Sequence, residues 1–203
     1  MMKKKTLILK AATYLFATKG YNTASMAELA KSTGVAQGTV FYHFNNKETL
    51  FLAVLKQFQR ELGQAFKDYE QTSRFENGLE ALLEKVEFFF IIAGKMEDEF
   101  LLLHRHDAYE IAHASVECRE LLEQIHADIV GFFEQAIRIG QNDGSIAPHS
   151  ARNMAMTIFT MVDGLVRFNT YGIYEAGALY EDFISAIRRI VSNETPQSMK
   201  GGK

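Results

Sequence analysis

The chain has 203 residues, 47% of them apolar and 23% charged, with a formal net charge of −3. This length suits one large or two modest domains, and the apolar share is sufficient for a buried core. The longest apolar runs, such as residues 88–93, are far shorter than the about 20 residues that cross a bilayer. The composition therefore excludes a membrane-spanning helix and favours a soluble globular protein.

The charge is distributed unevenly along the chain. Residues 1–50 contain seven lysines and two glutamates, a balance of +5, so the remainder carries −8. Positive charge confined to one end is typical of a nucleic-acid contact, although a basic N-terminus is also a common solvated tail. Cys118 has no partner for an intramolecular disulfide, and no apolar signal-peptide core follows the first lysines. We therefore expect a cytoplasmic protein.

The first predicted element is a helix. Apolar residues recur at helical spacing from Leu7 to Phe16. Lys19 then supplies a basic last turn, and Gly20 can adopt the left-handed conformation that ends a helix. The first helix is therefore expected to stop at this pair.

Two short helices around a tight turn follow. Ser25 and Glu28 have the spacing of a capping box, in which the serine hydroxyl and the glutamate carboxylate each accept the other residue's backbone N–H. A second helix is therefore predicted from Met26, with Gly34 as its stop. A third helix is predicted over residues 37–44, small and polar at its start. This arrangement is that of a DNA-reading helix-turn-helix.

The remainder of the chain is predicted to be helical as well. Asn45 and Asn46 cap a long helix whose apolar positions extend from Leu50 to Phe66. Further helices are expected at about 77–94, 97–112, 117–140, 149–170 and 178–192. We therefore predict an all-α protein: a three-helix DNA-binding domain at residues 1–48, a helical ligand-binding and dimerisation domain at residues 49–192, and a disordered tail at residues 193–203.

Several motifs resemble those of the tetracycline-repressor (TetR) family of transcriptional regulators. They are Phe16-Ala-Thr-Lys-Gly-Tyr21, Glu28-Leu29-Ala30, Gly34-Val35, Gly38-Thr39, Tyr42-His43-Phe44 and Lys47-Glu48, with Gly144-Ser145-Ile146 and Val162-Asp163-Gly164-Leu165 further along. The resemblance is strong from Leu7 to Leu55. It implies a homodimer whose paired N-terminal domains enter successive major grooves of a palindromic double-stranded DNA operator. It also implies a C-terminal domain whose ligand changes their separation, usually to control repression.

The DNA contacts are predicted from the third helix and from positions that match the family's motif. They are Ser25, Gln37, Gly38, Thr39, Phe41, Tyr42, His43 and Lys47. The Gln37 amide can pair with the N6/N7 edge of adenine or bind phosphate. Tyr42, His43 and Lys47 match positions that commonly hold phosphate in the family. Phe41 departs from the tyrosine often found there, which changes the expected base preference, whereas Phe44 is expected in the core.

The helix predicted at residues 149–170 is apolar on more than one side. Such a helix needs burial on two faces, so one face is expected inside the subunit and the other against a second copy. Phe183, Ile184, Ile187, Ile190 and Val191 of the last helix offer a second seam. The alternative is that both helices belong to the core of a monomer.

An unknown small hydrophobic or amphipathic ligand is expected in the C-terminal domain, with no metal and no cofactor. The candidate lining residues are Phe89, Phe100, Leu103, His104, Tyr109, Phe133, Met154 and Phe159. Methionine and aromatic side chains form adaptable apolar walls, although such residues are also ordinary core. His104, His106 and His113 lie close together in sequence, but surface histidines on a charged helix explain them better than a metal site.

Two other functions remain open from the sequence. The first is a structural or cell-division factor with the same DNA-binding fold and no response to a small molecule. The second is an enzyme, for which the chain offers no P-loop, dinucleotide fingerprint or nucleophile elbow. Cys118 near His113 is better interpreted as a buried, inert thiol than as a catalytic pair.

Overall fold

The computed structural model describes residues 2–173 and 176–192, without the side chains of Met2, Lys3 and Ala176. Within these residues the chain forms ten α-helices, a short 3-10 helix at Ala176–Leu179 and no strand. The predicted all-α fold class is therefore confirmed. The tail predicted at residues 193–203 lies outside the described residues. None of the helices described is both long and apolar enough to span a membrane.

The first four helices follow the predicted order. They are α1 (Met2–Lys19), α2 (Met26–Thr33), α3 (Gln37–His43) and α4 (Lys47–Thr72). We call α1 to α3 the reading head. Gly20 and Gly34 end α1 and α2 with φ of +84° and +64°, a backbone conformation that favours glycine. At the start of α4, the Asn46 Oδ1 atom accepts the Thr49 N–H at 2.7 Å, as the capping prediction required.

Six further helices complete the described chain. They are α5 (Gly78–Lys95), α6 (Glu97–Leu103), α7 (His106–Ala114), α8 (Val116–Asp143), α9 (Ala151–Thr170) and α10 (Tyr180–Val191). The single helix predicted at residues 97–112 was wrong, because α6 stops at Leu103 and Arg105 has extended dihedrals before α7 begins. Neither glycine nor proline marks this break in the sequence.

The chain divides into two compact units. Unit 1 is formed by described residues within Met1–Thr72 and Ile91–Asp128, and it contains the reading head. In this unit α1 packs against α2, α4 and α6. The Phe16 and Phe51 rings meet edge to face with centroids 5.4 Å apart, which joins α1 to α4, and Phe58 meets Phe100 at 5.3 Å. Thus α4 and α6 belong to the same core as the reading head.

Unit 2 is formed by described residues within Ser73–Phe90 and Ile129–Lys203. Its α5 and α8 approach so closely that a Cβ at Gly78 would overlap the backbone of Gly140. A buried cation also joins these helices, since the Lys85 Nζ atom donates to the Phe132 carbonyl at 2.9 Å and to Gln135 Oε1 at 2.6 Å. These bonds satisfy a charged group that is only 2% exposed.

Candidate nucleic-acid interface

The helix-turn-helix is held at its start by a serine cap and at its turn by a glycine. The Ser25 hydroxyl accepts the Glu28 N–H at 3.1 Å, which forms the first half of the predicted capping box. The other half was wrong, because the Glu28 carboxylate pairs with Lys19 Nζ. The chain then reverses at Gly34, where no protein atom lies within 4 Å of the position of a Cβ.

The third helix has one buried and one exposed face. Val40 is fully buried and Phe44 is 2% exposed, so this side packs into the reading head and the core position predicted for Phe44 is confirmed. On the other side, Phe41 is 41% exposed and Tyr42 is 71% exposed. Exposing apolar area to water is unfavourable. Two neighbouring exposed aromatic side chains are therefore typical of a contact surface.

The remaining predicted contacts lie on or beside that exposed face. Gln37 and Gly38 are exposed at the start of α3, and Ser25 is exposed at the start of α2. Thr39 and His43 are half-buried, and the His43 ring lies between Tyr42 and Phe44 at centroid distances of 5.3 and 6.4 Å. The structure therefore places these residues in α3 and at the cap of α2, all exposed or half-buried.

Gly38 has no internal reason to be glycine. Its φ is not in the left-handed region, and a Cβ added there would meet no protein atom within 4 Å. A glycine that neither the backbone nor the packing demands can still be required by an external partner that approaches the backbone closely. Gly38 stays a predicted contact of this kind.

Lys47 has an internal role that the sequence did not predict. Its Nζ atom donates to the carbonyls of Tyr21, Asn22 and Ala24 at 2.8, 3.2 and 3.1 Å, and it lies 4.5 Å from the centroid of the Tyr21 ring. An ammonium has three protons, so these bonds use its whole donor capacity. The predicted phosphate contact would require Lys47 to exchange one of these carbonyls for the phosphate.

The positive charge of the N-terminal segment lies at the surface. Lys4, Lys5, Lys10, Lys19 and Lys31 are all exposed. One of them, Lys19, is partly neutralised by its pair with Glu28. The Nζ atom of Lys5 lies 5.7 Å from the centroid of the Phe44 ring, which directs this cation towards the end of α3. Exposed lysines can neutralise phosphates without reading sequence.

The residues predicted to line a ligand pocket fall into one group in each unit. In unit 1, Phe100, Leu103 and His104 are buried, whereas Tyr109 is 42% exposed. In unit 2, Phe89, Phe133 and Met154 are buried, and Phe159 is half-buried. The Phe89 ring packs against Phe133 at 5.7 Å and against Phe159 at 6.5 Å. Contact between any of these residues and a ligand stays a prediction.

The three histidines considered as metal ligands differ in their exposure. His104 is 6% exposed, so its interpretation as a surface histidine was wrong. His106 and His113 are exposed, and His106 Nε2 lies 3.3 Å from Glu110 Oε1. Among the residues the structure describes, no group of three or more histidine, cysteine, aspartate or glutamate side chains could hold a metal ion.

Cys118 is fully buried. Burial raises the pKa of its thiol to about 11, with smaller contributions from the negative charges of Glu48 and Glu117. Because the thiolate is the reactive form of cysteine, this environment keeps the sulfur unreactive at neutral pH.

Sequence reasoning missed a second set of polar side chains that contact the reading head. Arg105 and Asp107, at the junction of α6 and α7, form hydrogen bonds with the backbone of Ala17 and Tyr21. The partners are 86 to 88 positions apart, so no local pattern could have indicated them.

Comparison with known proteins agrees with this geometry. The family model described as "Bacterial regulatory proteins, tetR family" matches residues 8–54, which include the helix-turn-helix. The chain is similar to the HTH-type transcriptional regulator UidR of Escherichia coli (strain K12), with 28% identity over 177 residues that cover 83% of this chain and 79% of UidR.

Solved structures share the fold over nearly the whole chain. The transcriptional regulator FadR from Bacillus subtilis, in complex with stearoyl-CoA, matches with a TM-score of 0.73 and 19% identity, covering 92% of this chain and 99% of FadR. A protein from Saccharomonospora viridis, in complex with choline, matches with a TM-score of 0.75 and 20% identity, covering 93% and 95% of the two chains. The chain therefore contains a TetR-family DNA-binding domain at residues 8–54, and the comparisons support a regulator of the TetR type.

Proposed function

We propose that this regulator is a ligand-responsive repressor that binds a palindromic operator as a homodimer. The observation that carries the proposal is the two-sided character of α3. Val40 is buried in the reading head, whereas Gly38, Phe41 and Tyr42 are exposed on other sides of the helix and Gln37 is exposed in its first turn. A short helix anchored by one face can present the opposite face to the major groove.

In this proposal the exposed side chains divide into base and phosphate contacts. The Gln37 amide pairs with the edge of an adenine, and Thr39 donates to phosphate or packs its methyl group against a thymine. Tyr42 and His43 bind phosphate. Phe41 contributes an apolar contact with a sugar or a thymine methyl group. The charge of +5 on residues 1–50 favours approach to DNA, although the net charge of the whole chain is −3.

The dimer half of the proposal is supported by α9. Its buried residues, which include Met154, Ile158 and Val162, lie on one face. Met156 and Phe168, which are 50% and 38% exposed, lie outside that buried face of the same helix. Large exposed apolar side chains on a helix that already buries one face are typical of a contact with a second copy.

The helix α10 supports this interface less than its sequence predicted. Phe183, Ile187 and Val191 are buried within unit 2, while Ile184 and Ile190 are half-buried. The Phe183 ring packs against Phe90 at 5.8 Å, so part of the predicted seam belongs to the subunit's own core. We therefore assign the larger share of the proposed dimer contact to α9.

The ligand is proposed to be a hydrophobic or amphipathic small molecule. Clusters of aromatic side chains lie within each unit, and the similar structures from Bacillus subtilis and Saccharomonospora viridis contain stearoyl-CoA and choline. Repression relieved by the ligand is the usual behaviour that the family resemblance implies. A thermal-shift screen of hydrophobic metabolites and cationic drugs tests this part, because a ligand that binds only the native state must stabilise it.

The DNA half is tested by selecting duplexes from a random pool with the purified protein. We expect the selected duplexes to share a palindromic sequence. The protein should retard these duplexes in gel electrophoresis, and light scattering should show that a dimer is bound to each one. Gln37→Ala should lose about 1 to 3 kcal/mol of discrimination at one base position in each half-site if its contact is bidentate. Tyr14→Ala is the matched control, since Tyr14 is an exposed tyrosine of α1 outside the proposed interface.

Three results would contradict the proposal. A protein that selects no sequence is not an operator-binding repressor, and a monomeric complex would remove the homodimer. Sequence-specific binding at many scattered chromosomal sites, without any stabilising small molecule, would favour the structural or cell-division role instead.

A further inference from the structure

The end of α1 is completed by two side chains from a distant part of unit 1. In a longer helix the Tyr21 N–H would donate to the Ala17 carbonyl, but α1 stops at Lys19 and leaves both groups without that bond. The Arg105 Nη1 atom donates to the Ala17 carbonyl at 3.1 Å, and the Asp107 Oδ2 atom accepts the Tyr21 N–H. One charged pair therefore replaces the missing helical hydrogen bond.

The two side chains also bind each other. The Arg105 Nε atom donates to Asp107 Oδ1 at 3.1 Å, and the side chains are only 29% and 13% exposed. We call this pair the Arg105–Asp107 clamp. Because each partner fixes the other and both contact the backbone, the clamp holds the chain at the point where it leaves α1.

Two features favour glycine at position 20, and the second of them involves the clamp. Its φ of +84° is unfavourable for residues with a side chain. A Cβ at this position would also lie 2.5 Å from Arg105 Nη2 and 2.6 Å from Asp107 Oδ2, too close for any real contact. The glycine thus allows the clamp to approach the backbone of the reading head directly.

Tyr21 connects the clamp to the DNA-binding helices. Its N–H donates to Asp107, and its carbonyl accepts from Lys47 Nζ, the side chain of the first residue of α4. Its ring packs against Phe51 with centroids 5.2 Å apart. The segment that follows leads to Ser25, the cap of α2. A shift of Asp107 would therefore move a peptide that contacts α4 and leads into α2, the helices on either side of α3.

We propose that Arg105 and Asp107 are positioning residues for DNA binding, which hold the reading head in its binding-competent arrangement without touching DNA. The proposal rests on the DNA-binding function above. When only a fraction of the molecules is competent, the apparent dissociation constant rises in inverse proportion to that fraction. Loss of the clamp therefore weakens binding to every duplex by the same factor.

The test compares Asp107→Ala and Arg105→Ala with the wild type on two probes, the duplex that the wild type selects and a random duplex of equal length. Binding is measured by fluorescence anisotropy, at a temperature where circular dichroism shows each variant fully folded. We expect dissociation constants about tenfold higher on both probes, a typical size for coupling between distant parts of a protein. The salt dependence should be unchanged because no phosphate contact is lost.

Two further variants separate positioning from general damage. Arg119→Ala is the matched control, because Arg119 Nε donates to the Ala112 carbonyl at 3.2 Å within the same unit and has no described contact with the reading head. We expect its DNA affinity to stay within about twofold of the wild type. Asp107→Asn keeps the size of the side chain and an acceptor oxygen, so it replaces Asp107→Ala if the alanine variant does not fold, with an expected loss in the same direction.

The local readout is hydrogen exchange of the Tyr21 amide, which should become faster in Asp107→Ala and stay slow in Arg119→Ala. The double variant should lose no more affinity than the larger single loss, because the pair acts as one unit. Unchanged DNA affinity in the folded Asp107 variant would overturn the inference while leaving the proposed function intact. A wild type that selects no DNA would overturn both.

Discussion

The exposed surface of α3 and the loop before α2 differ in how far apart in the sequence their contributing residues lie. The exposed residues of α3 include Gln37, in its first turn, and Tyr42, in its last, and these residues lie within a few positions of each other in the sequence. The loop at residues 21–24 is held by Lys47 and Asp107, which lie 26 and 86 positions from Tyr21. The residues proposed to contact DNA are thus local in sequence, whereas the residues that bond to the loop before α2 are distant.

Phe44→Ala should produce the largest loss of stability. Phe44, the residue that follows α3, is 2% exposed, whereas Phe41, three residues earlier within α3, is 41% exposed. We expect a decrease of about 3–5 kcal/mol in the free energy of unfolding for Phe44→Ala, because the truncation leaves a cavity. Denaturant titration measures it. Phe41→Ala is the matched control and should change stability by less than about 1 kcal/mol. Equal losses in the two variants would remove the distinction between the two faces.

Lys47→Ala should destabilise the reading head by about 1–3 kcal/mol, because three carbonyls lose their charged donor. If the role of Lys47 is internal, the slope of affinity against salt concentration should stay the same. If Lys47 instead binds phosphate, its loss should reduce the slope of log affinity against log salt concentration by roughly one per subunit and should cost little stability. Lys31→Ala, at an exposed lysine of α2, is the control for a change in charge alone. Titrations at several salt concentrations distinguish the two roles.

The sequence predicted the reading head well because its signals are short-range. A capping serine, the glycines at positions 20 and 34 and an asparagine cap each act within four residues, and the structure confirms the helix that each one starts or stops. The exposure of Tyr42 and the burial of Val40 follow from helical spacing within α3.

The sequence failed where the deciding contacts are long-range. The helix predicted at residues 97–112 breaks at Arg105, which has no turn residue beside it and whose side chain bonds to Ala17 instead. The internal bonds of Lys47 were not predicted, because its three carbonyl partners precede it by 23 to 26 positions. Periodicity and capping rules describe neighbours along the chain, so they cannot reveal a side chain that completes a distant helix end.

Glu99→Gln should give the smallest effect and tests the other surface of α1, where α6 packs. Burial raises the pKa of Glu99, and the charges of Asp98 and Glu61 raise it further, against the lowering effects of a backbone hydrogen bond and Lys10. A raised pKa means that the folded protein binds this proton more tightly than the unfolded chain. The ionised carboxylate therefore destabilises the fold at neutral pH, and stability recovers as the pH falls through the raised value.

We thus expect Glu99→Gln to raise the free energy of unfolding at pH 7 by less than about 1 kcal/mol, because water screens a half-buried charge. The advantage should shrink on acidification, since the wild-type carboxyl then becomes neutral too. Thermal melts at a series of pH values measure it, with Glu97→Gln, at an exposed position in the same helical turn, as the control. An advantage that grew towards acid pH would mean that the fold stabilises the carboxylate, and that the contact between α1 and α6 depends on its charge.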